Sequence, residues 1–188
     1  MTYSNVAVSL AALAVERVAH KGFADVSVQR IFVPLGMTTT TWTAPSAASA
    51  SVARPHVYED GGFVARPHNS HALYPVVDLR SSARDLARYT RAILGGGALD
   101  GVRILSAASV DIMLRQALAW QLREIGNAHL AGHEGEDIGT TSALFVDTTA
   151  GTGVVVLANG DAFGSGNDER AKAIKNLIGD LLSVARPR

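Results

Sequence analysis

The sequence predicts an α+β fold, in which a group of helices precedes a mainly antiparallel sheet of three strands with a C-terminal helix packed on it. Two apolar runs, residues 143–146 and 153–158, flank the turn-forming residues 148–151, as in an antiparallel hairpin. Residues 118–125 alternate apolar and polar side chains, which is typical of a strand. Residues 167–184 repeat apolar side chains at helical spacing and predict a helix that lies across the sheet. The run 153–158 is apolar almost throughout, so we expect a strand that is buried on both faces.

The composition narrows the class of protein. Of the 188 residues, 47% are hydrophobic and 18% are charged, which is ordinary for a globular domain. We expect one domain, with a helical lobe over about residues 1–115 and the sheet with its helix over about 116–188. The formal net charge is zero, so we predict neither nucleic acid nor an anionic membrane as a partner. The absence of Cys excludes disulfide bonds, cysteine zinc sites and a thiol nucleophile.

The first predicted helix covers about residues 6–18 and is apolar around most of its circumference, so we expect it to be buried at the centre of the fold. Ser4 is a candidate N-cap, with Tyr3 packed onto Val8 four positions into the helix. The apolar run 6–15 is too short to span a bilayer, and no Lys or Arg precedes it as in a signal peptide. We therefore predict neither a membrane span nor a signal peptide in this chain.

Three further helices precede the sheet. One is predicted over residues 23–32 and should end before Pro34, because the residue that precedes a proline is disfavoured in the helical region. Ser82, with Asp85 three residues later, forms a capping-box pattern and predicts a helix that ends at Gly95. Ser106 marks the start of a shorter helix.

Residues 43–78 are rich in proline and lack helical periodicity, which indicates a long irregular segment with a short hairpin near residues 59–62. The segment contains His56, His68 and His71, close to two acidic residues. The spacing of these side chains matches no metal-ligand signature. We interpret them as solvated loop histidines and predict no metal site.

The stretch 132–142 contains the residues that we expect to lie nearest a ligand. His133 and Gly135 should lie on or just before the first arm of the predicted hairpin. A glycine there lets a ligand approach the backbone donors of the strand, because it has no side chain to block them. The alternative is a surface loop with a solvated histidine, and this stretch alone leaves both interpretations open.

Five motifs follow one another along the chain. They are YSN at residues 3–5, IFVPLGM at 31–37, LRSSARDLARY at 79–89, GHEG at 132–135 and GVVVLAN at 153–159. In this order they resemble motifs of the serine β-lactamase and penicillin-binding-protein superfamily, in particular its class C-like branch of β-lactamases, DD-peptidases and esterases. The resemblance covers nearly the whole chain and implies a β-lactamase/transpeptidase-like fold.

The resemblance also implies a role for each site residue. In this family a serine of a Ser-x-x-Lys motif attacks a carbonyl carbon, and a tyrosine of a Tyr-x-Asn motif transfers the proton. Tyr3 would be the general base and acid, and Asn5 would bind the substrate and the catalytic lysine. His133 would lie on the strand that lines the pocket, Gly135 would admit the substrate, and the backbone N–H of Glu136 would form half of the oxyanion hole. The resemblance implies no cofactor.

The chain lacks the nucleophile of the family. Its lysines are Lys21, Lys172 and Lys175, and none follows a serine by three residues. In the family, Ser-x-x-Lys lies well upstream of Tyr-x-Asn, so we expect this chain to be an incomplete, C-terminal portion of the fold that is inactive alone. An N-terminal strand of the family pairs with the strand from Gly153 to Ala158, so we expect that edge to be unpaired here.

The acidic residues near His133 bear on the substrate. Glu134, Glu136 and Asp137 would repel the carboxylate that β-lactams and peptidoglycan peptides carry. A complete protein of this kind is therefore expected to act on a neutral ester or amide.

Three hypotheses follow for the function. The first is the C-terminal part of a serine hydrolase, acting on an ester, an amide or a β-lactam once it is completed. The second is a non-catalytic binding or assembly module, which forms a homodimer or binds a partner strand along the 153–158 edge. The third is a hydrolase that uses another nucleophile, for which Ser81, Ser82 and Ser142 are the candidates.

Overall fold

The computed structural model describes residues 4–43, 52–162 and 168–185. The chain divides into two compact units, which are Met1–Ala44 with Asn69–Met113, and Pro45–His68 with Leu114–Arg188. Within the described ranges, no helix combines the length and the apolar character needed to cross a membrane.

The described residues form seven α-helices and eight strands. The helices are α1 (Asn5–Ala19), α2 (Phe23–Ser27), α3 (Val33–Leu35), α4 (Tyr74–Val77), α5 (Ala83–Leu94), α6 (Ala107–Arg115) and α7 (Asp168–Ala185). The strands are β1 (His56–Glu59), β2 (Gly62–Ala65), β3 (Ala98–Leu99), β4 (Val102–Arg103), β5 (Gln121–Ile125), β6 (Ala128–Asp137), β7 (Thr140–Asp147) and β8 (Thr152–Ala158).

The first unit is helical, with its core between α5 and the segment that follows α2. Phe32, Leu35, Met37, Ala92 and Leu99 form a buried apolar cluster there. The α5 cap is as predicted, because the Ser82 hydroxyl accepts a hydrogen bond from the backbone N–H of Asp85 at 3.2 Å.

The first helix is capped as predicted but is not central. The Ser4 hydroxyl accepts a hydrogen bond from the N–H of Ala7 at 3.3 Å, whereas Tyr3 and its predicted contact with Val8 lie outside the described residues. Ala12 is the one buried residue of α1, and Leu10 is 59% exposed. The prediction of a central helix is wrong for this unit, because α1 packs on α2 and α4 along one side.

The helical segment that begins at Phe23 does not stop before Pro34. It passes through a π-helical turn, Val28–Phe32, and continues as α3 to a left-handed Gly36. Within the wide turn the N–H of Val33 donates to the carbonyl of Val28, five residues back. The π-helical turn lies immediately before Pro34, which has no N–H to donate. The helix therefore continues through the proline instead of ending before it.

The larger sheet of the second unit is antiparallel in the order β5-β6-β7-β8, with four strands instead of the expected three. The first strand begins at Gln121 and not at residue 118, and β6 is a separate strand that carries His133. The two strands are joined by Gly126 and Asn127, with Gly126 at φ +59°. This Gly-Asn pair is a two-residue hairpin signal that the sequence interpretation passed over.

The predicted hairpin of β7 and β8 is present, with Val146 opposite Gly153. Its core face packs under α7, where the buried residues include Phe145, Val154, Val156, Ile178 and Leu182. Burial in β8 alternates along the strand, so the expectation of burial on both faces is wrong. Among the described strands β8 pairs with β7 alone and lies at the edge of the sheet.

The predicted short hairpin is β1 and β2, which turn at Asp60 and Gly61, both with positive φ. This hairpin contacts the turn between β6 and β7, because the N–H of His56 donates to the carbonyl of Gly139 at 3.0 Å. Gly139 has φ +70°, and a Cβ there would lie 2.6 Å from the backbone nitrogen of His56. The turn after β6 thus requires glycine for this contact.

Candidate active site

The register of the sheet places His133 and Gly135 on one face of β6. His133 lies opposite Leu144, and Gly135 lies opposite Ser142. Successive residues of a strand point to opposite faces, and the neighbouring Gly132 pairs with Phe145 of the α7 core. His133 and Gly135 are therefore on the face of the sheet away from α7.

A side chain at residue 135 would meet the hydroxyl of Ser142. A Cβ built there would lie 2.5 Å from the hydroxyl oxygen of Ser142. That hydroxyl donates to the carbonyl oxygen of Gly135 at 3.4 Å. The lack of a side chain at residue 135 thus leaves room for the hydroxyl, besides keeping the backbone of β6 open to a ligand.

The imidazole of His133 is half-buried and contacts groups on two strands. Its Nδ1 lies against the carbonyl oxygen of its neighbour Glu134. Its Nε2 is 3.4 Å from the amide nitrogen of Gln121, which lies on β5. The histidine is therefore not the solvated loop residue of the alternative interpretation.

Three carboxylates lie at the end of β6 beyond His133. Glu134 is mostly buried, with Oε2 3.6 Å from a guanidinium nitrogen of Arg123. Glu136 is exposed opposite Thr141, and Asp137 accepts a hydrogen bond from the N–H of Ile138 at 2.8 Å. The end of this strand therefore carries more negative than positive charge.

The remaining predicted site residues belong to the first unit. Asn5 is the first residue of α1 and is exposed. Tyr3 lies outside the described residues. The hydroxyls of Ser81 and Ser82 are engaged with neighbouring threonines, since Ser81 Oγ is 2.7 Å from Thr40 Oγ1 and Ser82 Oγ is 2.9 Å from Thr39 Oγ1.

Asp85 is a buried carboxylate that the same threonines surround. Its Oδ2 accepts hydrogen bonds from the N–H of Thr39 at 2.8 Å, the hydroxyl of Thr39 at 2.8 Å and the hydroxyl of Thr40 at 2.9 Å. Burial alone would raise the pKa of Asp85, but these hydrogen bonds and the positive charge of Arg88 together lower that pKa below its ordinary value. The carboxylate anchors residues 39 and 40 to the start of α5.

The loop histidines hold the irregular segment together. Nδ1 of His56 is 2.8 Å from the carbonyl oxygen of Arg54. Nδ1 of His71 is 2.8 Å from a carboxylate oxygen of the buried Asp78. Across residues 4–43, 52–162 and 168–185, no group of three or more His, Asp and Glu side chains is arranged to hold a metal ion.

The sequence interpretation missed two residues beside His133. Gln121 and Arg123 were assigned to a strand as its polar positions, but the contact of Gln121 with His133 and that of Arg123 with Glu134 depend on the pairing of β5 with β6. The register that brings them together sets Gln121 opposite Gly132 and Arg123 opposite Leu130. The Gly-Asn turn at residues 126 and 127 is the signal that would have revealed this pairing.

The β-lactamase family model matches residues 1–177 of the chain. The chain belongs to the β-lactamase family. Penicillin-binding protein 4 of Amycolatopsis lactamdurans is 27% identical over 214 residues, which cover 100% of this chain and 54% of that protein. The chain thus spans about half the length of this curated relative.

Solved structures show the same fold. The octameric penicillin-binding protein homologue from Pyrococcus abyssi superposes with a TM-score of 0.78 at 19% identity, over 97% of this chain and 43% of that chain. The D-amino acid amidase from Ochrobactrum anthropi SV3, complexed with L-phenylalanine amide, superposes with a TM-score of 0.77 at 21% identity, over 98% of this chain and 58% of that chain. The predicted α+β, β-lactamase/transpeptidase-like fold is confirmed.

Proposed function

We propose that this chain is the C-terminal part of a serine acyl hydrolase and works with a nucleophile carried on a Ser-x-x-Lys segment outside it. The observation that carries the proposal is the family match over residues 1–177 in a chain where no serine precedes a lysine by three residues. The chain alone is then inactive, because a proton-transfer group without a nucleophile gives no acyl-enzyme.

In the proposed reaction the serine oxygen bonds to the carbonyl carbon of the substrate. Tyr3 accepts the serine proton and passes it to the leaving alcohol or amine as the bond to that group breaks. Water then bonds to the acyl carbon as the bond from that carbon to the serine oxygen breaks, and the proton of the water returns to the serine oxygen through Tyr3. Asn5 holds the substrate and the lysine, and the N–H of Glu136 stabilises the oxyanion.

The proposed substrate is a neutral ester or amide. Support comes from the acidic end of β6, where Asp137 lies two residues beyond the open backbone at Gly135 and on the same face of the strand, whereas Glu134 and Glu136 alternate to the other face. A substrate carboxylate in that place would meet a like charge. The similar fold of a D-amino acid amidase that is complexed with L-phenylalanine amide agrees with this choice.

The test compares the chain alone with a fusion to the segment of the Amycolatopsis lactamdurans relative that precedes its matched region. Each protein is incubated with a p-nitrophenyl ester, an anilide and a chromogenic cephalosporin, and acylation is followed by mass spectrometry. We expect acylation of the fusion at its Ser-x-x-Lys serine and none in the chain alone. In the fusion, Tyr3→Phe should slow acylation roughly 100-fold or more, and Ser109→Ala, which alters an exposed hydroxyl of α6, is the matched control.

Two results would contradict the proposal. One is turnover by the chain alone with covalent labelling of Ser81, Ser82 or Ser142, which would favour the hypothesis of another nucleophile. The other is a folded fusion that forms no acyl-enzyme with any of the substrates.

A second candidate function is assembly through the edge of β8. The observation that favours it is that β8 pairs with β7 alone among the described strands, which leaves the backbone between Gly153 and Ala158 available to another strand. The resulting assembly is a homodimer in which two β8 strands pair, or a complex with a partner strand. The relative from Pyrococcus abyssi is octameric, which makes oligomers of this fold reasonable.

Sedimentation analysis of the chain tests this second candidate. Leu157 is an exposed residue of β8, and Leu157→Lys should dissociate a dimer that forms along this edge. Leu122→Lys, at an exposed position of the opposite edge strand β5, is the matched control. A monodisperse monomer of the unmodified chain would rule the homodimer out.

A further inference from the structure

The imidazole of His133 is contacted by groups that decide which nitrogen carries its proton. Nδ1 lies against the carbonyl oxygen of Glu134, and a carbonyl oxygen can only accept a hydrogen bond. Nδ1 is therefore protonated in this arrangement. In the neutral ring, Nε2 is then an acceptor.

The group that faces Nε2 is a donor. Arg123 donates to Oε1 of Gln121 at 2.6 Å, and a guanidinium has no acceptor atom. Oε1 of Gln121 therefore faces Arg123, and its NH₂ group is the one that lies 3.4 Å from Nε2 of His133. The contacts with Glu134 and Gln121 thus agree on one neutral tautomer.

These contacts form a closed ring of four residues. The guanidinium that orients Gln121 also lies 3.6 Å from the carboxylate of Glu134, whose own carbonyl accepts from His133. Every member lies on β5 or β6, which are paired residue by residue from Gln121 to Ile125. The geometry therefore depends on backbone pairing and not on a mobile loop.

We propose that Gln121 and Arg123 are positioning residues that hold His133 as a neutral imidazole with a hydrogen-bond acceptor at Nε2. The inference rests on the proposed function, in which His133 lines the substrate pocket. An imidazolium would place an Nε2–H against the NH₂ of Gln121, so that two donors would face each other.

This arrangement specifies the chemistry of the ligand. A group that replaces the Gln121 amide at Nε2 has to donate a hydrogen bond, as an amide N–H or an ammonium does. A carboxylate has no proton to donate, and Asp137, on the same face of β6 as His133, repels it. The site therefore selects substrates with a hydrogen-bond donor near the acyl group over substrates with a carboxylate.

The first test reads the tautomer directly by ¹⁵N NMR of the histidine side chains in the full chain at neutral pH. We expect the Nδ1–H form at His133. Gln121→Glu keeps the shape of the side chain and an acceptor for Arg123, but turns an acceptor oxygen towards His133. His133 should then shift to the Nε2–H form or the imidazolium. Arg123→Met, which leaves the amide free to turn, should give an intermediate spectrum.

Two controls accompany this test. His129 lies on the same strand, is exposed and faces Glu124 at 3.2 Å, so its signals should be unchanged in both variants. Gln29 accepts a hydrogen bond from Lys21 in the first unit. Gln29→Glu introduces the same charge there and should leave the ¹⁵N signals of His133 unchanged. A wild-type His133 in the Nε2–H form or as an imidazolium would overturn the proposal, as would wild-type signals at His133 in both variants.

The second test adds benzamide or benzoate, which have nearly the same shape but differ in donor and charge. At equal concentration, benzamide should shift the Nε2 signal of His133 at least about threefold more than benzoate, since it carries an N–H donor. An equal or larger shift with benzoate would overturn the ligand assignment. Neither test requires turnover, so failure of the fusion to form an acyl-enzyme would contradict the proposed function and leave the tautomer result standing.

Discussion

The two longest helices, α1 and α7, differ in how they use their apolar residues. In α7, Ile178 is fully buried and Leu182 nearly so, against the β6, β7 and β8 residues of the same unit. In α1, Leu10 is 59% exposed and Val18 is 83% exposed, and Ala12 alone is buried. The helix with the higher apolar content, α1, is thus the less covered of the two.

The difference shows that apolar composition predicts burial only where the partner surface is within reach. The partner of α7 is the sheet, which is encoded immediately before it. For α1, the elements of its own unit that contact it, α2 and α4, are short and cover one side. A helix that is apolar around its circumference is typical of the interior of a larger fold, and this chain spans 54% of its curated relative.

The largest expected effect concerns α7, the buried helix of the two. Ile178→Ala removes a fully buried side chain from the contact between α7 and the sheet, and should lower the free energy of unfolding by about 2–5 kcal/mol. The measurement is urea unfolding followed by circular dichroism. Leu177→Ala is the matched control, because the adjacent Leu177 is 43% exposed and should cost much less. Equal losses of the free energy of unfolding in the two variants would show that burial of Ile178 does not hold α7 on the sheet.

The next effect tests what stabilises the first unit when α1 contributes little. Asp85→Asn keeps the shape of the side chain but removes the charge that accepts hydrogen bonds from Thr39 and Thr40. Hydrogen bonds to a charged group are stronger than neutral ones, so we expect a loss of about 1–3 kcal/mol in the free energy of unfolding. Asp111→Asn, at an exposed position of α6, is the control.

The pH dependence of unfolding gives an independent measure of the same carboxylate. The pKa of Asp85 is lowered in the folded chain, so the unfolded chain binds the proton more readily. Its contribution is complete above the unfolded pKa of about 3.9 and is lost as the pH falls through the lower, folded pKa. We expect Asp85→Asn to remove part of the loss of stability below about pH 4. An unchanged pH profile in the variant would contradict this assignment.

A smaller effect separates two roles of Gly135 on the face of the sheet that α7 does not cover. Gly135→Ala should destabilise the chain by about 1–3 kcal/mol, because the new Cβ would lie 2.5 Å from the hydroxyl oxygen of Ser142. Combined with Ser142→Ala, which removes that oxygen, the substitution should cost little in stability. In the fusion protein, the double variant should still lose substrate binding if the open backbone at residue 135 admits the ligand. Full recovery of binding would show that Gly135 serves only the packing of Ser142.

The local signals of the sequence predicted the architecture well. The caps at Ser4 and Ser82, the β7–β8 hairpin and the helix α7 are all formed as expected. Each of these depends on residues close together in the chain, or on an apolar stripe whose partner is nearby. Local patterns of this kind carry enough physical information to specify an element.

What the sequence did not reveal depends on pairing over longer distances. Strand β6 was not recognised as a separate strand, because its second half is polar and is held in place by pairing with β7. The partners of Asp85 at Thr39 and Thr40 lie about 45 residues away, and no periodicity indicates them. The contact of Gln121 with His133 follows from the same strand register. The functional roles of Tyr3, Asn5, His133, Gly135 and Glu136 remain proposals.

The smallest expected effect concerns α1, the exposed helix of the two. Leu10→Gln leaves helix propensity nearly unchanged and replaces an exposed apolar side chain of α1 with a polar one. We expect the free energy of unfolding to change by less than about 0.5 kcal/mol, whereas binding of a dye that reports exposed apolar surface should fall. Val33→Gln, at an exposed apolar position outside α1, is the control for the dye. A loss above about 1 kcal/mol that grows with protein concentration would show that copies of the chain cover α1 in solution, because only association makes stability depend on concentration.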